Sequence, residues 1–507
     1  MKKLRQLSLI ILATLTSMAG FSQHTKTFPK EINSIKMTAA GVAIVATNDA
    51  LYGIDKDGKE LWKNVKFKKV DAYRIQVLSG SELIVVTGGL MVGTKILNVY
   101  NGNIIGGNSD VSEARVIHGT NQLWISTRLD GIHVWDIGTN TEQYDLSKIN
   151  TPYSIESKGN FMGTQPITYT SESSAILHIG SAQLGEYNLN NGTPIWEFDW
   201  KPYKVKKPRD GKGDYPSAPK RGFAIMKLDQ ETRTLFFPFR NILIAVDSKT
   251  GKAKWDVKAN KLGQVKDIFI VKQGILVRTA KGVQLIDKQT GIIKWDKPIK
   301  IKGTDGSLLI QGKDGFYVVA KGSIEKIDIE NRKSTTLTEK IKFKGGESFS
   351  SLELINNVVV LSSAQNLVGI DRTSGKINYQ VYYKAPGPSV LDVAGSIALA
   401  GVAMASTMNS MKVNARAGNK TYYQYTPRMR NSGGSRSTDA GKSLFISTKF
   451  KGADANGFGI AKVDKETGKT MKKIVIGVRN PIYVVDENNG IIYYKSDKKE
   501  LTIKSVL

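Results

Sequence analysis

Nothing constrains this chain more than a nine-residue stretch that is written twice. Asp247-Ser248-Lys249-Thr250-Gly251-Lys252-Ala253-Lys254-Trp255 follows the apolar run 242–246. Forty residues later, Asp287-Lys288-Gln289-Thr290-Gly291-Ile292-Ile293-Lys294-Trp295 nearly repeats it. An alternating apolar run, an Asp-to-Gly turn and a second alternating run read as a β-hairpin. The Asp carboxylate can accept from N–H groups inside the turn, and the Gly supplies the φ > 0 residue that closes it. A hairpin recurring at a fixed period signals stacked or radial repeats.

The unit can be followed along the whole chain. Asp55-Lys56-Asp57-Gly58 leads to Trp62, and runs at 96–100, 132–136 and 185–189 lead to turns at Asn101-Gly102, Thr139-Asn140 and Asn190-Asn191-Gly192. A degenerate copy holds Asp328, and clear ones hold Asp371 with Gly375 and Asp464 with Gly468. Three further strands, at 482–486, 491–496 and 501–506, carry no motif. The steps from Asp247 to Asp287, Asp328 and Asp371 are 40, 41 and 43 residues. That is about four short strands, the size of one propeller blade. Gly turns and β-branched alternation leave no room for paired amphipathic helices of similar period. Nine motifs and a closing set predict ten blades, with a strand near residues 25–30 completing the last one.

The hairpin sentence, aliphatic-Asp-x-x-Thr-Gly-Lys-x-x-Trp, resembles the repeat of the PQQ-like β-propellers, which include the quinoprotein dehydrogenases and BamB-like assembly lipoproteins. Asp247, Gly251 and Trp255 match it, as do Asp287, Gly291 and Trp295. Asp55, Gly58 and Trp62 match with one turn residue deleted. Asp371 and Gly375 match with Tyr379 in the aromatic place, and Asp464 and Gly468 match without an aromatic. The resemblance covers residues 24–507. It implies an all-β chain forming a single propeller of four-stranded blades, commonly eight in the family, so the expectation is eight to ten. It also implies that the outer-strand Trp packs against the next blade, as a large amphipathic ring on an exposed edge would.

Two steps between motifs are too long, and each locates an insertion. The first, at 200–221, is Pro- and Gly-rich and carries Lys201, Lys204, Lys206, Lys207, Arg209, Lys212, Lys220 and Arg221. The second, at 385–438, opens with the small-residue stretch 393–408. There Ala394/Ala398, Ser396/Ala400 and Gly401/Ala405 fall at a four-residue spacing, which permits close approach if the stretch is helical. Sixteen residues is short for a membrane span. A helix or loop buried against the propeller is the first expectation, and contact with a membrane or partner the second. No acid occurs from Val393 to Thr438, whereas Lys412, Arg416, Lys420, Arg428, Arg430 and Arg436 interleave with Tyr422, Tyr423 and Tyr425. An apolar patch followed by a basic, aromatic one suits an anionic envelope surface. Nucleic acid would accept the same interleaving, but the leader described next disfavours it.

Residues 1–23 combine a basic start, an apolar centre and a small-residue end, the pattern of a secretory signal peptide. A periplasmic, outer-membrane-associated or extracellular monomer is therefore expected. The formal charge is +28, or +25 without Lys2, Lys3 and Arg5 of the leader, which favours anionic partners. The chain has no Cys. That excludes disulfides, thiolate metal sites, a Cys nucleophile and a lipid-modified N-terminal Cys.

No catalytic, cofactor or metal set can be assembled from the residues. The quinoprotein dehydrogenases hold their quinone on the propeller axis with calcium, an acidic base and, in many, a disulfide of adjacent cysteines. The disulfide cannot form here, and no residues map onto the rest. Asp55-x-Asp57-Gly58 has the opening of a calcium loop, but Lys59 and the missing distal Glu break it. His118, His133 and His178 fall in separate units. The expectation is a non-enzymatic scaffold that binds a protein partner or an anionic envelope component through its two insertions. A PQQ-dependent oxidoreductase, or a cofactor or carbohydrate binder using the central funnel, is the alternative.

Overall fold

The Asp-to-Gly stretches fold as the hairpin turns expected of them. Asp247 Oδ1 accepts the N–H groups of Lys249 (2.9 Å) and Thr250 (3.1 Å), and Asp287 Oδ1 those of Gln289 (3.0 Å) and Thr290 (2.9 Å). Asp371 and Asp464 repeat the pattern with Thr373 and Ser374, and with Glu466 and Thr467. Where Asn98 or Asn188 stands at the anchor, its amide oxygen accepts from Tyr100 or Asn190 instead. Gly251 has φ +71°, and Arg332 fills the equivalent place of the degenerate copy at φ +50°, a conformation strained for any side chain.

The computed structural model describes residues 23–506, apart from short connections, 146–167, 204–225 and most of 387–436. Apart from one two-stranded hairpin at Arg416–Thr421, the described strands form ten antiparallel sheets in chain order, so the protein is a ten-bladed all-β propeller. Blades 1 to 9 begin at residues 32, 75, 111, 168, 227, 265, 309, 351 and 437, and blade 10 at 483. We label the strands of each blade A to D in chain order. The A strands of neighbouring blades approach one another, as Lys227–Asp229 and Val265–Val271 do, and so line the axis. The D strands form the rim, half exposed, as Ile377–Tyr382 shows. Strands B and C carry the core, buried on both faces in Thr234–Phe239 (B) and Gly282–Ile286 (C).

The hydrophobic core is therefore a set of layers between blades. Ile44, Leu51 and Trp62 of blade 1 pack on Ile84, Val86 and Leu97 of blade 2. Val360 and Leu367 of blade 8 pack on Leu444 and Val463 of blade 9. The ring closes as the sequence predicts. His24–Thr27 pairs antiparallel with Glu500–Ser505 and becomes strand D of blade 10. Phe28, Tyr52, Val484 and Tyr493 then seal blade 10 to blade 1.

Blade 6 departs from the pattern. Only three of its strands are regular, and its rim is reduced to the bridges Ile286↔Ile293 and Val283↔Ile299. Pro298 lies in this rim segment and has no N–H to donate to a ladder. Trp295 nevertheless stays buried between blades 6 and 7.

The rim aromatics dock on the next blade. Trp62 Nε1 donates to Val99 O (2.6 Å), Trp196 Nε1 to Ser248 O (2.8 Å) and Trp255 Nε1 to Lys288 O (3.3 Å). Tyr379 places its hydroxyl on Lys465 O in the same way. Each ring lies flat on the turn glycine of the following blade. A Cβ at Gly102, Gly251 or Gly291 would come within 2.5, 2.5 or 2.7 Å of the Trp it supports. The motif glycine thus closes its own turn and receives its neighbour's ring.

These turns give stability a definite pH dependence. The Asp287 carboxyl is held down to about 2, chiefly by the Thr290 N–H, with the Gln289 N–H and Lys294 adding to the effect. Asp328 and Asp371 are held low by the same kind of backbone hydrogen bond. A carboxyl depressed in the folded state stabilises fully above its unfolded pKa of about 3.9, and that stability is lost as pH falls through the folded value. The urea midpoint is expected to fall steadily from about pH 4 to about pH 2, and Asp287→Asn should flatten part of that slope. Titrated urea curves of both proteins check it.

Candidate functional site

Strands of a blade alternate in direction, so the A–B and C–D turns open on one face and the B–C and D–A connections on the other. The first face is occupied by contacts between blades. Lys288 of blade 6 reaches Asp229 and Glu231 of blade 5, both at 3.1 Å, and Arg372 of blade 8 reaches Asp314 of blade 7 at 3.5 Å. Lys465 of blade 9 pairs with Glu353 of blade 8 at 2.9 Å, while Asn356 bonds Glu466 and Gln273 bonds Glu330. Burial alone would raise the Asp229 carboxyl, but hydrogen bonds from Thr232 and Lys288 outweigh it and hold it low. This turn face stitches the ring together.

Both insertions leave from the opposite face. The first runs from strand D of blade 4, Pro194–Glu197, to strand A of blade 5, Lys227–Asp229. The second runs from strand D of blade 8, Ile377–Tyr382, to strand A of blade 9, Ser437–Ala440. Each is a D–A connection. The topology therefore brings the roots of the two segments singled out by the sequence to one face of the ring.

The roots are built from aromatic side chains. At the first, Phe198 is buried against Phe237, with ring centroids 5.5 Å apart in an edge-on contact. Tyr203 packs on Phe198 at 5.7 Å and turns its hydroxyl toward Asp256; burial, reinforced by Asp256, pushes that hydroxyl up to about 12. At the second root, Thr448 donates to Lys384 O (2.8 Å), Arg479 Nε donates to Pro386 O (3.1 Å), and Tyr383 and Thr470 join their hydroxyls. Lys449 and Arg479 both lie against the Phe458 ring, at 5.3 and 5.9 Å. The second insertion is thus clamped to blade 9, the blade it leads into.

Lys204, Lys206, Lys207, Arg209, Tyr422, Tyr423, Tyr425, Arg428, Arg430 and Arg436, the small-residue stretch 393–408 and the leader up to residue 22 lie outside the described residues. Within the second insertion the structure describes one short hairpin, Arg416–Ala417 paired with Lys420–Thr421. Sequence reasoning missed Tyr203, Phe458 and Arg479. Each acts through partners distant in the chain, and none belongs to a motif.

Among the described residues no three His, Cys, Asp or Glu side chains converge on a metal position. On blade 6, Arg278 is buried on strand B and Asp267 lies half-buried on strand A, 3.8 Å from it. Burial raises the Asp267 carboxyl even with Arg278 opposing it, and burial lowers Arg278. With no cysteine in the chain and no converging carboxylates, the described residues do not fit the quinone-and-calcium site of a dehydrogenase. No described helix is long and apolar enough to cross a membrane.

Comparison with known proteins bears on the fold. No curated protein matches the sequence. Among solved structures, BamB from Moraxella catarrhalis is 13% identical over 68% of this chain and 97% of its own, with a TM-score of 0.38. The computationally designed Ika8 protein is also 13% identical, over 71% of this chain and 98% of its own, with a TM-score of 0.37. The C-terminal WD40 domain of Sif2 is 10% identical, over 68% and 96%, with a TM-score of 0.35. A family profile described as outer membrane protein assembly factor BamB matches residues 180–474, more than half of the sequence. By that match this ten-bladed chain belongs to the BamB family of PQQ-type repeat propellers.

Proposed function

We propose that the protein is an exported, non-enzymatic scaffold. It holds a protein partner or an anionic component of the cell envelope on the face from which its insertions rise. One observation carries this reading: both insertions root on the same face, while the opposite face is taken up by ion pairs and hydrogen bonds between blades. The family name, the leader pattern of residues 1–23 and the positive charge of the chain support an envelope setting.

Deleting residues 387–436 removes the second insertion beyond its clamp at Lys384 and Pro386. The shortened protein is expected to keep its unfolding transition and to lose the partners captured by the full chain in a pull-down from envelope extracts. Unchanged partners would remove this insertion from the account. The cofactor reading has an equally direct test. Purified protein given PQQ and calcium is expected to show no bound-quinone absorbance after gel filtration, and a stoichiometric quinone would replace the scaffold with an oxidoreductase.

A further inference from the structure

A second charged feature lies on the insertion face, at the seam where the ring closes. The B–C turn of blade 10 carries Lys498 and Lys499, the connection from blade 10 to blade 1 carries Lys30, and the connection from blade 1 to blade 2 carries Lys66, Lys68 and Lys69. Backbone hydrogen bonds weld these connections into one ridge. Phe28 N donates to Lys499 O, Ile32 N to Lys498 O, Asn48 N to Glu31 O and Lys69 N to Thr47 O. All six lysines are exposed, and none has a salt-bridge partner among the described residues. The acids of the same connections offset them only in part. Glu31 is held by Lys495 at 3.0 Å and Asp49 by Lys63 at 3.6 Å, which leaves Asp71, Asp497 and Glu500 against the six lysines.

Two details mark the ridge as more than a solvated charge run. Lys69 adopts φ +53°, a left-handed conformation that costs a side chain energy and costs glycine nothing. Beside it Val65 stands 57% exposed, an apolar side chain among cations.

We infer that this ridge docks the propeller on an anionic lipid surface. The composition separates that occupant from a protein. Protein interfaces concentrate Trp, Tyr and Arg and are depleted in Lys, whereas a row of lysines flanking an exposed aliphatic side chain is what a bilayer of negative headgroups attracts. The inference deepens the anionic-envelope reading above and rests on its choice of face, but not on the insertion.

The test is co-sedimentation of the full chain with phosphatidylcholine vesicles, with and without phosphatidylglycerol. Binding is expected only with the anionic lipid, and it should weaken as salt rises. Lys66→Gln, Lys68→Gln, Lys498→Gln and Lys499→Gln combined should weaken it on the order of a hundredfold or more. Lys249→Gln with Lys376→Gln, on the turn face, should leave it unchanged. Lys69→Gly should raise the thermal midpoint while weakening vesicle binding, opposite signs that a purely structural lysine would not give. Deleting 387–436 should leave ridge binding in place, so failure of the insertion reading and failure of this one are distinguishable. Equal binding to neutral vesicles, an unaffected quadruple variant, or capture by polyglutamate but not by vesicles would overturn the proposal. Competition by free inorganic phosphate at low concentration would also overturn the lipid assignment, reducing the ridge to a soluble-anion site.

Discussion

Truncating Trp196 to alanine is expected to destabilise the protein by about 3–5 kcal/mol, the usual cost of removing a buried large aromatic side chain. The ring is 7% exposed and fills the layer between blades 4 and 5 with Leu184, Leu235 and Val246. Its Nε1 donates both to Ser248 O of the next blade and to Glu186 Oε2 of its own. Truncation leaves a cavity, a carbonyl short of a donor and a buried carboxylate with one donor fewer. The same contact can be attacked from the other side. Gly251→Ala adds a Cβ 2.5 Å from the Trp196 ring at a residue with φ +71°. The backbone term alone costs about 1–2 kcal/mol, and displacing the ring adds to it. Urea unfolding of the two single variants and the double checks the pairing. Because both act on one contact, their effects should be clearly less than additive.

The second large effect is expected at the buried ion pair. Lys465 is 1% exposed, and its ammonium lies 2.9 Å from Glu353, itself braced by Ser351 Oγ at 3.1 Å. Glu353→Ala takes the carboxylate at 2.9 Å away from a buried cation and should cost about 3–5 kcal/mol. Replacing both members with apolar residues of similar size should recover much of that loss, because neither charge then has to be desolvated. At the rim, breaking Lys26–Glu60, 3.2 Å apart with side chains 23% and 38% exposed, should cost no more than about 1 kcal/mol. Lys26 of blade 10 and Glu60 of blade 1 also face each other across a seam, so the contrast isolates burial as the source of the difference.

The fold was legible because its unit is local. An Asp that accepts from N–H groups of its own turn and a Gly at positive φ sit four residues apart, so one hairpin can be read without knowing its neighbours. The count of ten followed from repetition, and the closing strand at His24–Thr27 from a last set one strand short. What could not be read is what lies between units. Lys288 finding Asp229, or Lys465 finding Glu353, depends on how blades are stacked and leaves no pattern along the chain. Blade 6 shows the reverse limit. Its motif is among the clearest, yet its rim strand is broken in a segment that holds Pro298. For the candidate site, the insertions were visible as excess length and charge. Their common face follows only from strand parity, and the ridge of Lys30, Lys66 and Lys498 joins residues from the two ends of the chain.

On the proposed function, one face of the ring interacts and the other holds the ring together. Hydrogen exchange, measured with and without anionic vesicles or the captured partner, distinguishes the two faces in one experiment. Protection is expected in the connections 28–31, 65–71, 383–386, 476–482 and 498–499. The Asp-to-Gly turns at 247–251, 287–291 and 371–375 should exchange unchanged. Protection centred on those turns, with the connections unaffected, would contradict it.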